Sequence, residues 1–100
     1  MLKISRIETV LEEIQTPAYV CEEMLLEQNL KCLKEVSERS GATLLLALKG
    51  FAFKALAPLV DTYLSGCTCS GLHEAKFANE YFKGTIRTYS PAYKEEDIDE

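Results

Sequence analysis

Residues 43–49 read Thr43-Leu44-Leu45-Leu46-Ala47-Leu48-Lys49, so that five consecutive apolar residues lead directly into a lysine. A strand with one face in water alternates between apolar and polar residues, but here both faces of a strand would be apolar. Such a strand is typical of a parallel sheet that is covered by helices. The stretch therefore predicts a buried strand over residues 43–48, with Lys49 at its carboxyl end.

The residues before this strand have a helical pattern. Four apolar residues recur every three or four positions and predict a helix from about Glu22 to Arg39 that turns this stripe toward the core. They are Leu26, Leu30, Leu33 and Val36. Gly41 follows, where helices often end in a left-handed residue. Further upstream, residues 16–21 predict a short extended segment with Pro17 near its start, where a missing N–H is tolerated.

The residues after Lys49 continue an alternation of helix and strand. The pattern predicts a helix over 55–63, a strand over 66–69, a helix over 72–82, a strand over 86–89 and an acidic helix start over 94–98. Strands separated by helices predict a parallel sheet with right-handed crossovers. Because a complete (β/α)8 barrel of the TIM type needs about 250 residues, we expect the first strands and helices of such an α/β barrel.

Lys49 is the main candidate for chemistry. Catalytic groups of (β/α)8 barrels lie at the carboxyl ends of the strands. A lysine at that end, beside the apolar core, would be partly desolvated and available as a neutral amine nucleophile. The alternative is that Lys49 ends the strand and points into water. Position alone leaves both interpretations open.

Composition excludes several classes of protein. With 47% hydrophobic and 27% charged residues the chain is neither disordered nor membrane-embedded. A net charge of -5 argues against nucleic-acid binding and favours a cationic partner only weakly. The four cysteines have no zinc-site spacing and predict reduced thiols. Residues 1–14 lack the apolar run of a signal peptide, so we expect a cytoplasmic protein.

Four segments, in order, resemble one family. The stretch Leu44-Leu45-Leu46-Ala47-Leu48-Lys49-Gly50-Phe51 resembles the cofactor-lysine motif of the alanine racemase-like pyridoxal-phosphate enzymes. The basic amino-acid decarboxylases of that family usually have alanine or cysteine and then asparagine after the lysine. Gly50-Phe51 departs from them and is similar to the carboxynorspermidine (carboxyspermidine) decarboxylase group. The other similar segments are residues 16–20, 66–76 and 88–93.

The resemblance implies a function and an assembly. Lys49 would be the catalytic and cofactor-binding residue, carrying pyridoxal 5'-phosphate in an enzyme that decarboxylates carboxynorspermidine or carboxyspermidine to norspermidine or spermidine, a step of polyamine biosynthesis. We expect residues 1–21 to contain an extended strand that pairs with a C-terminal β-domain absent from this chain. Residues 22–100 would be the N-terminal part of the barrel, and the whole protein a homodimer. No metal, nucleic acid or membrane is expected.

Other activities and residues stay open. A diaminopimelate, ornithine or arginine decarboxylase, an amino-acid racemase or a non-catalytic α/β module are alternatives. Thr68 stands where the family often has an acidic residue, and Glu74 fits either a helix-start or a cofactor role. We expect His73 and the acidic run 95–97 to be solvated. Cys67 and Cys69 share one strand face and are predicted to fill the core.

Overall fold

The structure, a computed structural model, describes residues 10–100 of the chain. The helices are α1 (Glu23–Ser40), α2 (Ala57–Tyr63), α3 (Leu72–Tyr81) and α4 (Glu95–Asp99), and the strands are β1 (Leu46–Ala47), β2 (Gly66–Cys69) and β3 (Thr85–Thr88). Short 3-10 helices cover Leu11–Glu13 and Lys54–Leu56. The alternation of helices and strands expected from the sequence is confirmed within these residues.

The strands form a parallel sheet in the order β1-β2-β3. Leu46 pairs with Cys67 and Cys67 with Ile86, while Ala47 pairs with Thr68 and Thr68 with Arg87. Paired residues lie on the same face of a sheet, and successive residues lie on opposite faces. The sheet therefore has one face that carries Leu46, Cys67 and Ile86 and another that carries Ala47, Thr68 and Arg87.

The helices cover only the first of these faces. Cys67 and Cys69 are buried in one cluster with residues of the helices, whereas Thr68 is half-buried and Arg87 is exposed. The cluster contains Leu30 of α1, Ala57 and Val60 of α2 and Ala78 of α3. We call the opposite face, with Ala47, Thr68 and Arg87, the helix-free face. No helix within residues 10–100 packs on it.

Strand β1 is shorter than the sequence predicted. The predicted strand covers 43–48, but the regular ladder includes only Leu46–Ala47. Single hydrogen bonds extend the pairing, from the Ser65 N–H to the Leu44 carbonyl (3.2 Å) and from the Leu48 N–H to the Thr68 carbonyl (3.2 Å). Leu44 to Ala47 are half-buried rather than buried, because β1 is an edge strand and its second face lacks a helix.

Helix α1 confirms the predicted bounds but only half of the predicted buried stripe. Leu30 is buried and Leu26 packs against the core, whereas Leu33 and Val36 are 43% and 56% exposed. Within the described residues α1 packs chiefly against α2, which has only seven residues, whereas α1 has 18, so the shorter helix covers only part of the stripe. Gly41 ends α1 as predicted, with φ at 76° and its N–H bonded to the Ser37 carbonyl at 3.0 Å.

Helices α2 and α3 agree with the prediction. Pro58 lies in the first turn of α2, and Val60 and Leu64 are buried as expected. The Oδ2 atom of Asp61 accepts the N–H of Lys83 at 2.8 Å and so ties α2 to the loop before β3.

The start of β2 and the residue before β3 are in close backbone contact. A Cβ added to Gly84 would lie 2.6 Å from the Ser65 carbonyl oxygen and 2.9 Å from the Gly66 Cα. Gly66 has a φ of 152°, and a Cβ there would overlap the Thr85 backbone. Two residues without a Cβ therefore allow the two chain segments to approach each other.

The segment before α1 is extended but is not paired with a strand of the described residues. Residues 18–22 have no regular hydrogen-bonded structure in this part of the chain. The strand pairing expected for residues 1–21 involves a domain outside this chain, and residues 1–9 lie outside the described residues. Within residues 10–100, none of the helices is long and apolar enough to cross a membrane.

Candidate active site

Lys49 lies in the turn that begins directly after β1. The Gly50 N–H closes this turn on the Ala47 carbonyl at 3.0 Å, so that the lysine follows the carboxyl end of the strand as the sequence predicted. Its neighbour Leu48 is only 3% exposed and anchors the turn to the core. The side chain of Lys49 is exposed. The expected desolvation is therefore wrong for the described residues, because they supply only one side of the surroundings of Lys49.

Lys49 lines a cavity of about 450 Å³. One wall is the chain from Leu48 to Phe53, and the other is the extended segment Tyr19, Val20 and Cys21 that precedes α1. The segment thus contributes to the site as well as leading into α1. Sequence reasoning missed this role, since nothing in residues 16–21 indicates which later residues they contact.

The rings of Phe51 and Phe53 form part of the same cavity. Their centroids are 5.8 Å apart and the ring planes lie at 22°, a stacked pair that restricts both side chains. Phe51 appeared in the sequence only as part of the lysine motif, and Phe53 was not singled out. The sequence signal for a role in the site was the spacing of these two rings, at i and i+2, beside a candidate catalytic lysine.

Two other lysines considered as amine donors are engaged elsewhere. The Nζ of Lys54 lies 5.9 Å from the centroid of the Tyr81 ring, a cation–π distance. Lys76 forms an ion pair with Glu100. Neither lines the cavity between segments 19–21 and 48–53, so Lys49 is the primary amine there among the described residues.

The thiol of Cys21 faces the same cavity and is half-buried. Burial raises its pKa above the ordinary value, and the nearby Glu23 carboxylate raises it further. Both effects favour the neutral thiol over the thiolate. Cys21 therefore forms an uncharged part of the wall at neutral pH.

The remaining candidates have structural roles or stay apart from Lys49. The Oε2 atom of Glu74 accepts the Ser70 N–H at 2.5 Å, which serves the start of α3. His73 is exposed, and Asp97 accepts the Lys94 N–H at 3.2 Å at the start of α4, both as expected. Thr68 is on the helix-free face, and Ser90 bonds the Ala92 carbonyl at 3.2 Å. Within residues 10–100 no cluster of metal-ligating side chains occurs.

Cys67 and Cys69 are core residues, as the sequence predicted. They are 0% and 1% exposed, and all four cysteines are free. Burial, with smaller contributions from Cys69 and Asp61, raises the pKa of Cys67 to about 11. The pair is chemically inert at neutral pH and faces away from the helix-free side of the sheet.

The cavity fits part of a pyridoxal-phosphate site. Its volume is within the range of about 300–1,000 Å³ that is usual for small-ligand pockets. Leu48, Val20 and Phe51 supply apolar walls for a planar ring, and Lys49 supplies the amine that such a cofactor requires. Among the lining residues that the structure describes, Lys49 is the only cation and none is a carboxylate. The described residues therefore fit the amine-bearing side of the site, and groups for the phosphate and the ring nitrogen would come from elsewhere.

Comparison with known proteins gives several strong matches, although no protein-family model matches the chain. A carboxynorspermidine/carboxyspermidine decarboxylase of Campylobacter jejuni is 60% identical over 89 residues, 89% of this chain and 23% of the relative. The protein of the same name from Herminiimonas arsenicoxydans is 41% identical over 87 residues. A carboxyaminopropylagmatine decarboxylase of Synechocystis is 35% identical over 88 residues.

A solved structure agrees with these matches. The crystal structure of carboxynorspermidine decarboxylase complexed with norspermidine, from Campylobacter jejuni, superposes with a TM-score of 0.81 at 60% identity. The match covers 85% of this chain and 23% of that one. The chain spans about a quarter of the length of the curated relatives it matches. The resemblance seen in the sequence is thereby confirmed: most of this chain is similar, in sequence and in fold, to about a quarter of the carboxynorspermidine/carboxyspermidine decarboxylases.

Proposed function

We propose that the whole protein is a pyridoxal-phosphate-dependent decarboxylase that converts carboxynorspermidine or carboxyspermidine to norspermidine or spermidine. The observation that carries the proposal is the place of Lys49. It is the amine of an apolar cavity at the carboxyl end of a parallel strand, in a chain that is 60% identical over 89 residues to a protein of that name. The carboxyl ends of parallel strands are where (β/α)8 barrels place their catalytic groups.

The residues of this chain have distinct tasks in the proposed reaction. Lys49 would hold the cofactor covalently through Nζ. Its amine would also be placed to accept or donate a proton beside the substrate. Leu48, Val20 and Phe51 exclude water from one side of the cavity. Bound pyridoxal phosphate supplies the electron sink that stabilises the negative charge left when a carboxylate departs as carbon dioxide.

The barrel and the assembly belong to the same proposal. The strand order follows the chain, and the helices lie on one face of the sheet. Consecutive right-handed crossovers in one direction put all helices outside, which is how a sheet closes into a (β/α)8 barrel. The helix-free face, with Thr68 and Arg87, would then be the barrel interior. We propose further that residues 16–21 pair with a C-terminal β-domain and that the enzyme is a cytoplasmic homodimer, as the resemblance implies.

The second candidate substrate is carboxyaminopropylagmatine. The observation that favours it is the 35% identity to the Synechocystis protein named for its decarboxylation. The ratio of kcat/KM for carboxynorspermidine to that for carboxyaminopropylagmatine distinguishes the two. Diaminopimelate, ornithine and arginine should be included, since a preference for one of them would move the activity to a sister decarboxylase and leave the role of Lys49 intact.

Cofactor attachment is the direct test. After pyridoxal phosphate is added to the whole protein and borohydride reduces the adduct, peptide mapping should find the label on Lys49. Lys49→Ala should remove the label and decarboxylation without loss of the folded state, because the exposed side chain contributes little to the core. Lys54→Ala is the matched control, and it should keep both. Label on Lys54 or Lys76 in the wild-type protein would contradict the proposal.

A further inference from the structure

We propose that the aromatic rings of Tyr19 and Phe51 bind the secondary ammonium group in the middle of the substrate chain and so select a polyamine over an amino acid. This inference rests on the proposed function, because it concerns the substrate of the same site. Both residues line the Lys49 cavity and come from different parts of the chain: Tyr19 from the segment before α1 and Phe51 from the chain after β1. We call these two residues the aromatic walls.

The charges around the cavity favour an aromatic ring as the partner of the substrate's ammonium group. A polyamine substrate carries a cation in its chain, and a cation removed from water needs a favourable partner. Among residues 10–100, those that line the cavity include no carboxylate, and Lys49 itself is a cation. The face of an aromatic ring attracts an ammonium group within about 6 Å. Among the lining side chains the rings are therefore the groups suited to a cation.

The position of the cation along the chain follows from chemistry. The reacting amine of the substrate would have to lie beside the Nζ of Lys49, so one end of the substrate is placed at the lysine. In norspermidine the next nitrogen is the secondary amine, three methylene groups further along. Tyr19 and Phe51 line the same cavity as Lys49, so this nitrogen would lie near their rings. The terminal amine is twice as far along the substrate chain.

Neither ring is buried in the core of the described residues. Tyr19 is 95% exposed within the described chain, so its ring is not part of the core of the described residues. Phe51 is half-buried and is restricted by stacking on Phe53, which fixes its orientation before a ligand binds. A fixed ring loses little conformational entropy on binding. Phe53 acts as the support of Phe51 in this arrangement.

The test compares two ligands of equal length in the whole protein loaded with cofactor and reduced by borohydride. Norspermidine and 1,7-diaminoheptane differ only in the central atom, a secondary ammonium in one and a methylene in the other. Calorimetric titration should show that the wild-type protein prefers norspermidine. Phe51→Leu and Tyr19→Leu should each reduce this preference about three- to tenfold, since each keeps apolar volume and removes a ring face. Tyr19→Phe should retain it.

The control is Phe77→Leu, which removes a ring of α3 that does not line the cavity, and it should leave the ligand preference at the wild-type value. If Phe51→Leu and Tyr19→Leu weaken both ligands equally, the rings are only an apolar surface and the inference is wrong. If they change neither affinity, Tyr19 contacts another part of the protein and the inference is also wrong. A failure of the proposed function is separate, because borohydride would then leave no label on Lys49 of the wild-type protein.

Discussion

At the scale of single residues, Cys67 shows how burial in this fold acts on a titratable group. The thiol is completely buried on the helix-covered face of β2, and its pKa rises from the ordinary 9.0 to about 11. At pH values below 9 the thiol is protonated in both the folded and the unfolded protein. Above 9 only the unfolded thiol loses its proton, so unfolding becomes more favourable as the pH rises.

We therefore expect the stability contributed by Cys67 to be fully present below pH 9 and to be lost as the pH rises through about 11. A two-unit difference in pKa corresponds to about 2.7 kcal/mol of unfolding free energy, once the pH exceeds both pKa values. Urea unfolding of the wild-type protein and of Cys67→Ala at pH 8 and pH 10.5 measures this contribution of Cys67 to the unfolding free energy. Cys67→Ala should be less stable at pH 8 because of the cavity it leaves, but should lose less stability between the two pH values. An equal loss in both proteins would contradict the assignment.

At the scale of elements, the approach of β2 and β3 depends on two glycines. Gly84→Ala would bring a Cβ to 2.6 Å from the Ser65 carbonyl oxygen, which is backbone and cannot rotate away. We expect this substitution to lower the unfolding free energy by about 2–3 kcal/mol. The matched control is Gly71→Ala, because a Cβ there meets nothing within 4 Å and φ is extended at -175°. It should stay within about 0.5 kcal/mol of the wild type. Chemical denaturation measures the unfolding free energy of both variants. Similar values for the two would rule out the close contact.

The helices and strands also show which structural features can be predicted from the sequence. The bounds of α1, β2 and α3 follow from periodicity and from local signals such as Gly41, so they were predicted within a residue or two. The exposure of Leu33 and Val36 was not predicted. An apolar stripe indicates which face of a helix can be buried, but not how much of that face another element covers. Likewise, the position of Lys49 after β1 was predictable, but its cavity depends on Tyr19, about 30 residues earlier. Contacts of that kind are set by packing in three dimensions, which periodicity does not encode.

At the scale of the whole molecule, the 100-residue chain leaves apolar and hydrogen-bonding surface open. Within residues 10–100 no strand pairs with the outer edges of β1 and β3, and no helix covers the helix-free face. Open edges template aggregation. We expect the 100-residue chain expressed alone to be insoluble or to bind a hydrophobic dye as a molten state. Light scattering, dye fluorescence and near-UV circular dichroism with heating measure this. A sharp two-state transition from a soluble monomer would contradict the barrel proposal.

The strand order β1-β2-β3 bears on how the protein folds during synthesis. Each strand pairs with the one that follows it in the chain, and consecutive strands begin about 20 residues apart. Pairing at such short separation keeps the contact order low, so each helix and strand can dock soon after it leaves the ribosome. In the proposed barrel, the open edge of the newest strand would receive the next one. The edge that is expected to make the isolated chain prone to aggregate would then be the growing end of the nascent sheet.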